Sequence, residues 1–196
     1  MYLRDRFAEL GIDLKTPDLN QGDFSHLSIT RQINQIAAEF TVNSAVTLIG
    51  SSLGGLTAAW LAEKYPQVQK LVLLAPAFEF LSHWLQQLGA EKLKQWRLEQ
   101  DLMIYHYGEK RSLPLNYNFV LDAAKYQDQL LRAVPTLILH GVGDEVIPIE
   151  ASRNFARLHP GVKLVELNSD HALGDVMGEI WQQIQIFCQL SSYPKN

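Results

Sequence analysis

The sequence predicts an α/β fold: one domain built on a mostly parallel sheet with helices on both faces. Short apolar runs such as Leu71-Val72-Leu73-Leu74 alternate with longer stretches whose apolar residues recur at helical spacing, the rhythm of consecutive βαβ units. Those runs are too apolar to have a wet face, as strands covered on both sides should be. A chain of 196 residues with 47% hydrophobic content can fill one core without a metal or disulfide staple.

In chain order, Leu3, Phe7 and Leu10 followed by Gly11 predict a short opening helix with a glycine cap. Ile12 to Leu19 reads as an extended segment interrupted by Pro17. Ile29, Ile33, Ile36, Ala37 and Phe40 form an apolar stripe, with Arg31, Gln32, Asn34 and Gln35 between them, so an amphipathic helix follows. Ala45 to Ile49 is a buried strand. After a turn at Gly50 to Gly54, a helix through Ala58, Trp60, Leu61 and Ala62 closes at Tyr65-Pro66. Strands are then predicted at Leu71 to Leu74, Thr136 to Leu139 and Lys163 to Leu167, with a helix over Glu150 to Leu158. A last helix carries Val176, Ile180, Ile184 and Phe187 on one side, with Cys188 as core filler, and Ser191 to Asn196 reads as a frayed tail.

One stretch breaks the rhythm. Residues 78–132 read as two amphipathic helices and an alternating segment Leu113, Leu115, Tyr117, Phe119. An excursion of this length between sheet strands is where lids and binding loops sit, so it is read as a helical cap insertion over the site. The alternative is an ordinary helical layer burying one face of the sheet.

The net charge of −4 and scattered lysines and arginines leave no electrostatic footprint for nucleic acid. No window approaches a membrane span and the first residues carry no apolar run, which predicts a cytoplasmic protein with no membrane partner. A lone cysteine cannot form an internal disulfide. His26, His83, His106, His140 and His159 are too scattered to pair at ligand spacing, so no metal site and no cofactor is predicted.

The sharpest chemical signal is Gly50-Ser51-Ser52-Leu53-Gly54-Gly55, a G-x-S-x-G between a predicted strand and a predicted helix. Such a turn holds the central serine, Ser52, in a strained position at the sheet's carboxyl edge. Gly50 and Gly54 flank it because side chains there would meet neighbouring backbone. The helix behind aims its first amides, Leu53 among them, at developing negative charge. A Ser/Gly turn that merely joins strand to helix is the plain alternative. A P-loop is excluded because no lysine follows the glycines.

A serine nucleophile needs a base, and the base an orienting acid, following it in chain order acid first, each after a strand. Thr136 to His140 is followed by Gly141-Val142-Gly143-Asp144, and Lys163 to Leu167 by Asn168-Ser169-Asp170-His171. Ser52, Asp144 and His171 therefore fall at carboxyl ends of strands, where open α/β sheets bind ligands. Glu145 is the rival acid. Asp170, adjacent to His171, suits a loop-stabilising role. Phe80, Trp84 and Trp96 are candidates to line an apolar pocket, with packing as the alternative.

These segments resemble the α/β-hydrolase family, and in compact size the small bacterial esterases known as YqiA-like. The resemblance runs from about Met1 to Phe187 and rests on Gly50 to Gly55, Leu139-His140-Gly141 with Asp144 and Pro148, and Asp170-His171. It implies that Ser52, Asp144 and His171 are nucleophile, acid and base, that the reaction is hydrolysis of a small carboxylic ester, and that no cofactor takes part. A thioesterase or small peptidase would use the same residues.

One departure stands out. Family members begin with a strand ending in His-Gly, whose following loop gives half of the oxyanion hole, before a helix like Leu3 to Leu10. This sequence starts at that helix. The second oxyanion donor is thus not identifiable, and a non-catalytic scaffold is the reading from a different class. By analogy the missing strand belongs between Asp13 to Leu19 and Ala45 to Ile49. Those strands would then pair directly, a neighbouring molecule would fill the slot, or the natural chain is longer, which is the expectation favoured here.

Overall fold

Sheet order follows from which strands bury both faces. The computed structural model describes residues 2–106, 109–126 and 132–190. In chain order its elements are α1 (Tyr2–Glu9), α2 (Ile29–Ala37), β1 (Val46–Ser51), α3 (Leu53–Lys64), β2 (Val68–Leu74), α4 (Phe80–Leu88) and α5 (Ala90–Glu99). They continue with β3 (Asp101–His106), β4 (Arg111–Asn116), α6 (Asn118–Ala123), β5 (Thr136–Gly141), α7 (Ile149–Leu158), β6 (Val162–Leu167) and α8 (Met177–Cys188). The main sheet is parallel throughout, in the order β1-β2-β5-β6.

Alternation along the strands feeds two cores. Leu71 and Leu73 of β2 and Ile138 of β5 pack with α2, α3 and α7. Val72, Leu74, Leu137, Leu139 and Leu167 pack with α1 and α8, where Phe7 meets Trp181 edge to face at 5.1 Å. Every residue of β5 is buried, as the run of apolar residues with no wet face requires. Helices therefore cover both faces. Ser28 caps α2 by accepting the Arg31 amide, and buried Gln32 accepts from Thr57 of α3 at 2.7 Å.

The excursion between β2 and β5 has its own aromatic core. Trp96 is wholly buried, donates from Nε1 to the Leu115 carbonyl at 2.8 Å, and meets Trp84 and Tyr117 edge to face. The layer is fastened to α2 by the carboxylate of Asp122, which accepts the Thr30 amide at 2.9 Å and the Thr30 hydroxyl at 2.5 Å.

Three expectations change. Leu113 to Phe119 is not one alternating segment, because β4 stops at Asn116 and Tyr117 opens α6. Its antiparallel partner β3 was not expected: Leu102 and Ile104 pack inward while Met103 and Tyr105 stay exposed. Ile12 to Leu19 forms no strand. Pro17 offers no amide and only Leu14 of the segment packs on the core, so it does not pair with β1, which among the described residues pairs only with β2. The expected frayed tail, Ser191 to Asn196, lies outside the described residues. Among those described, no helix is long and apolar enough to cross a membrane.

Candidate active site

Ser52 occupies the junction of β1 and α3 with φ 51° and ψ −121°, a conformation that residues with a Cβ normally avoid. The surrounding backbone holds it there. Its amide donates to the Leu74 carbonyl at 2.9 Å, and its carbonyl accepts from the Gly55 and Ala77 amides at 2.9 and 3.0 Å. A Cβ on Gly50 would lie 2.3 Å from the Gly54 carbonyl oxygen, and one on Gly55 would lie 3.0 Å from Pro76. Those two glycines let α3 sit against the strand ends. Gly54 does not share the role expected of it, since a Cβ there meets nothing within 4 Å. The Ser52 side is half-exposed, and the Leu53 amide stands at the first helical position, where no intrahelical acceptor exists.

The loop after β5 carries Asp144, whose side chain is fully covered. Its Oδ1 accepts the Val146 and Ile147 amides, both at 2.8 Å. Its Oδ2 is approached by His171 Nδ1 at 2.7 Å and His140 Nε2 at 3.1 Å. Burial pushes this carboxyl up, but the hydrogen bonds from His140, His171, Ile147 and Val146 outweigh it and hold it well below the usual carboxylate range. Glu145 stays exposed.

The loop after β6 brings in His171. It is stitched to the Asp144 loop through Val142 N to Leu167 O at 2.8 Å and Gly143 N to Ser169 O at 3.0 Å. Asp170 turns its carboxylate onto the amides of Ala172 and Leu173, shaping the loop. His171 Nε2 lies 3.1 Å from Ser52 Oγ, on the side of the ring opposite Asp144. A carboxylate can only accept, so Nδ1 bears the hydrogen and Nε2 presents its lone pair to the serine hydroxyl. The three predicted residues therefore meet above one edge of the sheet in a single hydrogen-bonded chain.

The pocket residues are not equivalent. Trp96 is a core residue of the excursion, too covered to line a pocket. Phe80 and Trp84 are half-buried and both lean on Phe119, at ring distances of 6.1 and 6.0 Å. Surface cavities of about 630 Å³ beside α2 and about 420 Å³ against α6 are lined by neither Ser52, Asp144 nor His171. Among the described residues no cluster of three or more His, Cys, Asp or Glu is placed to hold a metal ion. His140, which the sequence marks only as the end of a buried strand within the family-like segment, lies beside the Asp144 carboxylate because the short turn between them folds back.

Residues 1–188 match the profile of the uncharacterised protein family UPF0227. The chain belongs to that family. Its fold is that of the α/β hydrolases. A putative hydrolase from Agrobacterium vitis superposes with a TM-score of 0.78 at 20% identity, covering 96% of this chain and 80% of that one. The ferulic-acid complex of Est1E from Butyrivibrio proteoclasticus gives the same TM-score and identity over 95% and 80%. Mouse alpha/beta hydrolase domain-containing protein 10 gives 0.70 at 21% over 92% and 76%. No curated protein matches the chain.

Proposed function

We propose that this UPF0227 member is a serine hydrolase that cleaves small carboxylic esters through an acyl-enzyme on Ser52. The observation that carries the reading is the chain Ser52 Oγ, His171 Nε2, His171 Nδ1, Asp144 Oδ2, with links of 3.1 and 2.7 Å. In the first step Ser52 Oγ bonds to the ester carbonyl carbon while its proton passes to His171 Nε2. Asp144, ionised and buried, stabilises the imidazolium. The tetrahedral intermediate collapses, the carbon–oxygen bond to the alcohol breaks, and His171 returns the proton to the leaving oxygen. Water then repeats the sequence on the acyl-enzyme, releasing the acid and restoring Ser52.

The Leu53 amide and the positive end of α3 supply one donor to the developing oxyanion. Phe80 and Trp84 are the aromatic side chains proposed to contact an apolar part of the substrate, and residues 78–132 the layer that covers it. A fold shared with proteins named as hydrolases supports hydrolysis as the reaction class. A thioester would meet the same nucleophile, and a substrate panel ranks the two. The test is hydrolysis of a chromogenic short-chain ester by the full chain and by Ser52→Ala. The expected result is turnover lost in the variant with its melting curve unchanged; equal turnover in both overturns the assignment.

A further inference from the structure

A second histidine besides His171 approaches the Asp144 carboxylate. His140 is completely buried. Its Nε2 lies 3.1 Å from Asp144 Oδ2 and 3.0 Å from the Ile147 carbonyl oxygen, both of which only accept. The hydrogen must therefore sit on Nε2 and be shared between them. Its Nδ1 lies 2.7 Å from the hydroxyl of Ser152 on α7, itself fully buried, which fixes the ring plane. A buried imidazole is costly to leave unpaired, and here every polar atom of the ring is committed to the acid loop or to its anchor.

We infer that His140 is a positioning residue for the acid: by donating to the same Oδ2 that receives His171, it fixes Asp144 in place and sets how strongly that carboxylate pulls on the His171 ring. The proposal rests on the serine-hydrolase reading of the site and extends it to five linked groups, from Ser152 through His140, Asp144 and His171 to Ser52. Oδ2 divides its electron density between two donors. Removing one leaves the other to bear the full charge, which favours the protonated form of His171. Other charges around His140 are offset locally. Glu166, its partner in β6, is held by Arg153 of α7 at 2.6 Å, and Arg153 also pairs with Glu150.

The experiment compares the full chain with His140→Leu, His140→Gln and Ser152→Ala. Readouts are steady-state ester hydrolysis across pH, the imidazole titration of His171 followed by NMR, and thermal melting. Hydrogen bonds to charged groups are worth about 10- to 100-fold in an equilibrium. His140→Leu should therefore lower kcat by about 10-fold or more with KM nearly unchanged. It should also move the acid limb of kcat/KM and the His171 midpoint upward by about one pH unit relative to the unaltered protein. His140→Gln, whose amide can donate from near the Nε2 position, should return both readouts most of the way. Ser152→Ala, which keeps the Nε2 hydrogen but frees the ring, should shift them in the same direction by less, and it serves if His140→Leu fails to fold.

An unmoved pH limb and midpoint in folded variants overturn the proposal, even if kcat falls, because a purely structural role would lower activity without moving either. Failure of the unaltered protein to hydrolyse any ester would sink the hydrolase reading, while the NMR midpoints would still decide whether His140 acts on the acid.

Discussion

Replacing Gly141 by alanine should separate the Asp144 loop from the His171 loop without touching either side chain. A Cβ at position 141 would stand 2.4 Å from the Ser169 carbonyl oxygen and 2.5 Å from that of Asp170, about 1 Å short of ordinary contact. Both obstacles are backbone, and both lie immediately before His171, so relief requires the His171 loop to move as a unit. Overpacking of this kind costs about 1–3 kcal/mol of stability. A displacement near 1 Å would also break the 3.1 Å approach of His171 to Ser52, and misplacements of that size cost on the order of 100-fold in rate. The assay is urea denaturation alongside ester turnover and labelling by a fluorophosphonate probe. A folded Gly141→Ala protein with unaltered turnover would refute the claim that this close approach aligns the site.

The two glycines of the serine turn should behave oppositely. Gly50→Ala forces a Cβ to 2.3 Å from backbone and should abolish soluble folding or labelling, whereas Gly54→Ala, facing open space, should fold with equal or slightly higher stability in thermal melts. Asp122→Ala removes two hydrogen bonds to Thr30 from a buried carboxylate and should cost about 2 kcal/mol in urea denaturation, loosening the excursion from α2. The folded-state carboxyl of Asp144 lies below its unfolded value of about 3.9. Its contribution to stability is thus full above about pH 4 and is lost as the pH falls through the lower folded value. Asp144→Asn should flatten that portion of the acid-denaturation profile, measured by urea midpoints at stepped pH.

Ser52, Asp144 and His171 could be singled out together because each is tied to local structure that a sequence displays: an apolar strand, a turn rich in small residues, then a helix or loop. Chain order did the rest, and the structure brings the three together. What was not legible depends on tertiary neighbours. Leu102 and Ile104 alternate with exposed Met103 and Tyr105, but a two-stranded ribbon attached to helices looks in sequence like the end of an amphipathic helix. Trp96 resembled a pocket wall because nothing in its own segment reveals that Leu115 and Tyr117 close over it. Ile12 to Leu19 had strand-like residues with no neighbour to pair with. Gly54 shared a motif with Gly50 without sharing its steric reason. His140 read as the last residue of a buried strand; here the missing information is local, since its ring meets the Asp144 carboxylate through the way the intervening turn folds back.

The most direct measurement is capture of the intact protein by a fluorophosphonate, followed by mass-spectrometric mapping of the modified peptide. One adduct is expected, on Ser52, that vanishes in Ser52→Ala and slows sharply in His171→Ala. Capture at neighbouring Ser51, or no capture at all from a folded chain, would contradict it.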